Sequence, residues 1–283
     1  MKPTPDCIPC ILRQALNAAR KVTDDAWLHR KILNEIMVQL QKADFDRSPA
    51  ELVTAAQKAT YRTLGQADPF AADKQVQAAE AKNVLPRVRQ AIESAPDPLH
   101  AAVKLAGAAN AYDAHIFQPT DIERAIERVL DLGLAIDDYA DFRADLDKST
   151  SILYVLDSAG EVFFDRLVVE RLASSGKSVV CAVRRGPVLN DALRDDAEAA
   201  GLAEAGATVV DTGVDGMGVP LSLCSTEFRS LFDQADLVFA KGAANYETLE
   251  GEAKTKYFLL SVKCPVVARH FGVAIGDVVF VGD

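Results

Sequence analysis

The sequence predicts an α/β protein, a Rossmann-like, doubly wound and mainly parallel sheet joined to an N-terminal all-α domain. Two observations carry this prediction. Glycine is unevenly spread: of 16 glycines, only Gly65, Gly107 and Gly133 fall in the first 150 residues. The chain also changes pattern near residue 147. Before it run long Ala/Leu/Gln/Glu/Lys/Arg segments that favour helix; after it, short β-branched runs alternate with helical stretches, as in strands linked by crossover helices.

The elements follow in order. Ile11, Leu12, Ala15, Leu16 and Ala19 recur at helical spacing over 10–22, and Leu28, Ile32, Leu33, Ile36 and Leu40 repeat it over 26–42. Ser48-Pro49-Ala50-Glu51 reads as a helix start, with a serine cap, proline at the first position and a glutamate three residues on. Pro119-Thr120-Asp121-Ile122-Glu123 reads as another, and turns are expected near 65–70 and 96–98. In the second half the expected strands are 152–156, 178–183, 207–211, 236–240, 266–268 and 278–281. Helices are expected over 161–174, 191–205 and 226–234. The boundaries are thus 1–147 for the helical domain and 148–283 for the α/β domain. No Gly/Ser- or Pro-rich linker separates them, so the helices are expected to pack on or cap the sheet.

With 283 residues, 49% hydrophobic and 25% charged, the chain has the composition of a soluble globular protein. Its 31 basic and 41 acidic residues give a formal charge of −10, and no Lys/Arg-dense run appears. Nucleic-acid and membrane-surface binding are therefore disfavoured. The N-terminus lacks the apolar core of a signal peptide, and no run approaches 18 apolar residues. Five scattered cysteines do not make a disulfide scaffold. A cytoplasmic location is the expectation.

In open α/β sheets ligands bind beyond the carboxyl ends of the strands. The expected strand ends deliver Asp157-Ser158-Ala159-Gly160-Glu161, then Arg184-Arg185-Gly186-Pro187 with Asn190-Asp191. Asp211-Thr212-Gly213 and Lys241-Gly242-Ala243-Ala244-Asn245 follow. Carboxylates and amides suit Mg²⁺ or Mn²⁺; glycine turns, helix starts and Lys241 suit an anion. The combined reading is a metal and phosphate site. Each residue also has a plainer role: Asp157, Asn190 and Asp191 as helix caps, Glu161 as a complement to a helix dipole, Asp165 in a structural ion pair. Their convergence on one predicted edge favours the site.

Several familiar motifs are missing. No Gly-x-Gly-x-x-Gly follows a strand, no Gly-x-x-x-x-Gly-Lys-Ser/Thr occurs, there is no Gly-x-Ser-x-Gly elbow, and the histidines lack His-x-x-x-His spacing. Ala159 stands where an aspartyl-nucleophile phosphatase often carries its second aspartate. Cys7-Ile8-Pro9-Cys10 is a single CxxC with no second close pair to complete a zinc site. Buried structural thiols, metal binding and redox chemistry all remain open for it, and it is expected to be dispensable for the hydrolytic chemistry.

The series Asp157-Ser-Ala-Gly-Glu161…Asp165, Arg184-Arg-Gly-Pro187…Asn190-Asp191 and Lys241-Gly-Ala-Ala-Asn245-Tyr-Glu247 resembles the damage-control phosphatases, once catalogued as domain of unknown function 89. Cys7-x-x-Cys10 with Gln14 resembles the subfamily marked by a CxxC. Asp68-Pro69-Phe70…Lys74, Asn110…Asp113 and Lys263-Cys264-Pro265 extend the resemblance over nearly the whole chain. The resemblance implies hydrolysis of phosphate esters of small metabolites, such as sugar phosphates or damaged cofactor phosphates, supported by Mn²⁺, Co²⁺, Ni²⁺ or Mg²⁺. It places the metal ligands on Asp157, Ser158 and Asp191. Ser158 stands where the family usually has Asn, and Ala243-Ala244 where a Gln-Gly pair is common.

The resulting expectation is a metal-dependent phosphomonoesterase. Asp157, Asp191 and Lys241 would be catalytic; Gly160, Glu161, Arg184, Asn190 and Asn245 would contact a small phosphorylated metabolite. Whether Asp157 is nucleophile or only ligand stays open. A non-catalytic phosphometabolite-binding protein on the same fold is the alternative, and a methyltransferase a weaker one.

Overall fold

The computed structural model describes residues 1–111 and 122–283; Asp113 and the helix start read at Pro119-Thr120-Asp121 lie outside them. The chain runs through α1 (Cys7–Val22), α2 (Ala26–Leu40), α3 (Pro49–Leu64), α4 (Ala71–Glu93), α5 (Pro98–Ala111) and α6 (Ile122–Leu132). Then come β1 (Ile136–Asp137), α7 (Tyr139–Lys148), β2 (Ser151–Val155), α8 (Val162–Ser174), β3 (Ser178–Val183), α9 (Arg194–Ala200) and β4 (Ala207–Asp211). The chain ends with α10 (Thr226–Gln234), β5 (Leu237–Lys241), α11 (Ala243–Leu249), β6 (Lys256–Ser261), α12 (Pro265–Phe271) and β7 (Val278–Gly282).

The helix at 49–64 starts as its sequence requires. Ser48 accepts from the Glu51 backbone N–H, and the Glu51 carboxylate accepts from the Ser48 N–H at 3.0 Å, so two orphan donors are satisfied reciprocally. Gly65 closes the helix in the left-handed region, φ +66°.

The seven strands form one sheet, ordered β1-β7-β6-β5-β2-β3-β4, parallel throughout except for the antiparallel pair β6–β7. The first strand comes from the helical half: Ile136 pairs with Val279 at the sheet edge. Strand alternation sorts side chains onto two faces. Tyr154, Cys181, Phe239, Leu259 and Phe280 point into one core with α4, α5, α7 and α8. Val155, Ala182, Val238, Phe258 and Val279 point into the other, against α10 and α12. A third cluster joins α1, α2 and α3 to Val188 and Leu189, beyond the end of β3. The first-half helices therefore do both things expected of them: α4, α5 and α7 cover a sheet face, and α1–α3 cap the strand ends.

Three elements depart from expectation. Val266–Ala268 is not a strand but the first turn of α12, because Pro265 presets the first helical position and the Cys264 sulfur accepts from the Val267 N–H. The run Tyr257–Leu260, which was not expected as a strand, is the buried centre of β6. The helix expected over 191–205 is shortened to Arg194–Ala200. Asn190 and Asp191 belong to the preceding turn, and Gly201 at φ +73° ends it. Among the described residues no helix is long and apolar enough to cross a membrane.

Phe142 on α7 anchors the sheet face. Its fully buried ring meets Phe239, Tyr257 and Phe280 edge-on, with centroids 5.2–5.6 Å apart. Phe142→Ala should lower the unfolding free energy in urea by about 3–5 kcal/mol. Trp27→Ala, at a 69% exposed position, should change it by less than about 0.5 kcal/mol.

Candidate functional site

Two loops, after β2 and after β3, are zipped together at the carboxyl edge of the sheet. The Ala192 N–H donates to the Asp157 carbonyl at 2.7 Å, and the Ala159 N–H donates to the Asn190 carbonyl at 2.8 Å. Ser158 and Asp191 form an antiparallel bridge between them. Leu189 holds the turn in the left-handed region at φ 45°, a costly conformation for a branched residue. The Tyr61 hydroxyl accepts its N–H at 2.9 Å, so α3 supports this turn. The result sets Asp157, Ser158, Asn190 and Asp191 side by side. The plainer reading of these residues as helix caps does not hold: α8 and α9 begin at Val162 and Arg194, with Glu161 and Leu193 in the cap positions.

Behind this row lies a buried polar layer. Lys241, fully buried at the end of β5, donates to Glu161 at 2.9 Å, to Asp165 at 2.8 Å and to the Ala106 carbonyl at 3.2 Å. Tyr154 donates to Asp165 at 2.8 Å. Asn110 on α5 donates to Asp157 Oδ2 at 3.0 Å and to both Glu161 oxygens, while its own oxygen accepts from the Ser261 N–H. Glu161 also accepts the Ser158 N–H at 2.8 Å. On the other side Arg184, 1% exposed, donates Nε to Asp191 at 2.7 Å and Nη2 to Asn245 at 2.8 Å. Asn245 in turn donates to the Leu156 and Lys241 carbonyls.

The charges in this layer shift one another. Burial, then the neighbouring Glu161 and Asp191, push the Asp157 carboxyl up to about 8, against the pull of Lys263 and Arg184. Burial also pushes Asp165 up to about 6, opposed by Lys241. Burial works against the charge on Lys241, but Asp165 and Glu161 outweigh it and hold the ammonium above its ordinary range.

In front of the row opens a cavity of about 380 Å³, between the strand ends and helices α1, α3, α11 and α12. Of the expected site residues, Asp157, Ser158, Asn190 and Asp191 line it. Gly160, Glu161, Arg184, Lys241 and Asn245 do not; they stand in or beside the layer behind. Gly160 is packed against α4, where an added Cβ would come within 2.7 Å of Gln77. The expectation that Lys241 faces a phosphate is thus corrected: its ammonium is enclosed by two carboxylates and a carbonyl. The CxxC also reaches this cavity. Cys7 and Cys10, with Cys264, line the same cavity, because α1 caps the strand ends rather than standing aside.

Three residues gain importance from the structure. Lys263, in the cavity wall, is the cation that lowers the Asp157 pKa from that side. Asn110 is a buried amide directly after the apolar α5 run Leu105–Ala109, and such an isolated polar residue is itself a sequence signal. Gly242, at φ +80°, lies so close to Asp157 that any Cβ there would overlap the carboxyl group.

The donor chemistry fits a hard divalent cation. Asp157 and Asp191 offer carboxylates, and Ser158 and Asn190 offer neutral oxygens. Among the described residues no three His, Cys, Asp or Glu side chains are grouped to hold an ion. A cation here would also relieve the like-charge crowding at Asp157.

Glu247, another wall residue, gives a pH test. Burial pushes its carboxyl up to about 7, against a hydrogen bond from the Ala50 backbone and the nearby amino terminus. The folded state then binds more protons than the unfolded chain between about pH 4.5 and 7, so stability should fall as pH rises through that window. Glu247→Gln should remove that residue's share of the fall, gaining roughly 3 kcal/mol over the parent at pH 8 relative to pH 4 in urea titrations, while the raised Asp157 and Asp165 carboxyls keep their own shares.

The chain resembles known proteins along nearly its whole length. The family described as the damage-control phosphatase ARMT1-like domain matches residues 4–279. The chain is 32% identical to a damage-control phosphatase of Pyrococcus horikoshii, over 99% of this chain and 97% of that protein. It is also 32% identical to a damage-control phosphatase of Archaeoglobus fulgidus, over 99% and 98%. An uncharacterised protein of Methanocaldococcus jannaschii is 34% identical over 98% and 94%. The crystal structure of a DUF89 family protein from Pyrococcus horikoshii superposes with a TM-score of 0.88, covering 99% of this chain and 98% of that one. The chain belongs to the damage-control phosphatase family.

Proposed function

We propose that this phosphatase hydrolyses a small phosphorylated metabolite with a divalent cation held by Asp157 and Asp191. One observation carries the proposal: the two carboxylates stand together on a cavity floor whose wall contains the cation Lys263. Ser158 and Asn190 would complete the oxygen donors. Such an ion, when bound, supplies Lewis-acid polarisation of a phosphoryl oxygen. The chain's own residues do the rest. Lys263 neutralises charge on the phosphoryl group as the ester bond breaks. Arg184 holds Asp191, and Asn110 holds Asp157, so neither carboxylate must reorganise when substrate binds. The cap of α1 and α3 restricts bulk water around the reacting group.

Across a panel of sugar, cofactor and alkyl phosphates, any phosphate release should vanish in EDTA and return with Mn²⁺, Co²⁺, Ni²⁺ or Mg²⁺. Asp157→Asn should cut kcat/KM by about 10³ or more, and Lys263→Met by about 10–100-fold. Gly242→Ala should resemble Asp157→Asn, because it displaces that carboxyl. Undiminished turnover in EDTA would rule the proposal out. Phosphate-ester binding without turnover under every metal would favour the non-catalytic alternative.

A further inference from the structure

The cavity has two chemically different ends. Its floor presents Asp157, Ser158, Asn190 and Asp191, with Lys263 beside them. Away from the floor the wall is built by Ile11, Val53, Leu189, Met217, Ala244 and Val266, drawn from four helices and two loops. The wall thiols have hydrogen-bond partners within the chain: Cys10 accepts from Gln14 at 3.3 Å, Cys264 from the Val267 N–H at 3.4 Å, and Cys7 from the Thr4 N–H at 3.5 Å. Asp6 and Arg13, the charged residues contributed by the start of the chain, are exposed. Glu247 is held toward its neutral form by burial.

From this division we infer that the substrate is a phosphomonoester with a largely apolar body, not a polyol phosphate; the inference rests on the phosphatase reading of the floor. A volume of about 380 Å³ lies in the range of small-molecule sites and leaves room for a body beyond the phosphoryl group. Aliphatic carbon placed against Val53, Leu189, Met217 and Val266 loses contact with water. Hydroxyl groups placed against these four side chains would lose water without gaining partners; the wall also offers the Gln14 amide, too little for the several hydroxyls of a sugar or glycerol body.

Alkylphosphonates, which cannot be hydrolysed, test this by calorimetry on the full chain with and without Mn²⁺. Affinity should rise about two- to fourfold per methylene from ethyl upward until the cavity is filled. Butylphosphonate should bind at least about tenfold more tightly than 3,4-dihydroxybutylphosphonate. A plateau before dodecyl marks a soluble metabolite, and an unbroken rise marks a lipid phosphate; either supports the apolar body. Met217→Gln, at a partly exposed loop position, should flatten the chain-length dependence while leaving the thermal midpoint in place. Equal or tighter binding of the dihydroxy compound, or affinity independent of chain length, would overturn the inference. Because the readout is binding, it stands apart from the hydrolytic reading. Failure of every ester to release phosphate, with the chain-length series intact, would sink that reading alone.

Discussion

The site depends on one buried interaction, the contact of the Lys241 ammonium with Glu161 and Asp165. These three groups are fully or almost fully removed from water. An unpaired charge in such a place would cost several kcal/mol, so the lysine and the two carboxylates hold one another in position. Glu161 then has one oxygen left to accept the Ser158 N–H, and both oxygens meet the Asn110 amide. Asn110 reaches Asp157 with the same amide nitrogen. Position is passed from the sheet interior to the cavity floor through these polar contacts.

A matching arrangement supports the other carboxylate. Arg184 and Asn245 tie Asp191 to the ends of β2 and β5, while the left-handed turn at Leu189 carries Asn190 and Asp191 round to face Asp157. The two loops are joined by backbone hydrogen bonds, so their spacing is set by main chain rather than by flexible side chains. A pair of carboxylates preorganised in this way costs little to reorganise when charge moves between them, which is what phosphoryl transfer requires.

Much of this was legible in the sequence, for physical reasons that differ residue by residue. The β-branched runs and the Ser48 capping box are local signals, and the structure follows them. The strand-end rule brought Asp157, Ser158, Asn190 and Asp191 to one edge, because chain direction in a parallel sheet is enough to fix that edge. It could not say which strand-end side chains face outward. Lys241 and Glu161 lie on the same edge yet turn toward each other, since a buried carboxylate attracts a lysine more strongly than an open cavity does. Nor could spacing show that α1 lies over the strand ends, which places Cys7 and Cys10 in the cavity wall. The β6 run was hidden for a different reason: a short apolar stretch with no alternation has no period to read.

The most direct measurement of the central claim is equilibrium dialysis with Mn²⁺ on the parent chain, on Asp191→Asn and on Glu247→Gln. If Asp157 and Asp191 share the ion, the parent should bind one Mn²⁺, Asp191→Asn should bind it at least about tenfold more weakly, and Glu247→Gln should match the parent. Equal Mn²⁺ affinity in the parent and Asp191→Asn would contradict the shared site, however the enzyme behaved toward its substrates.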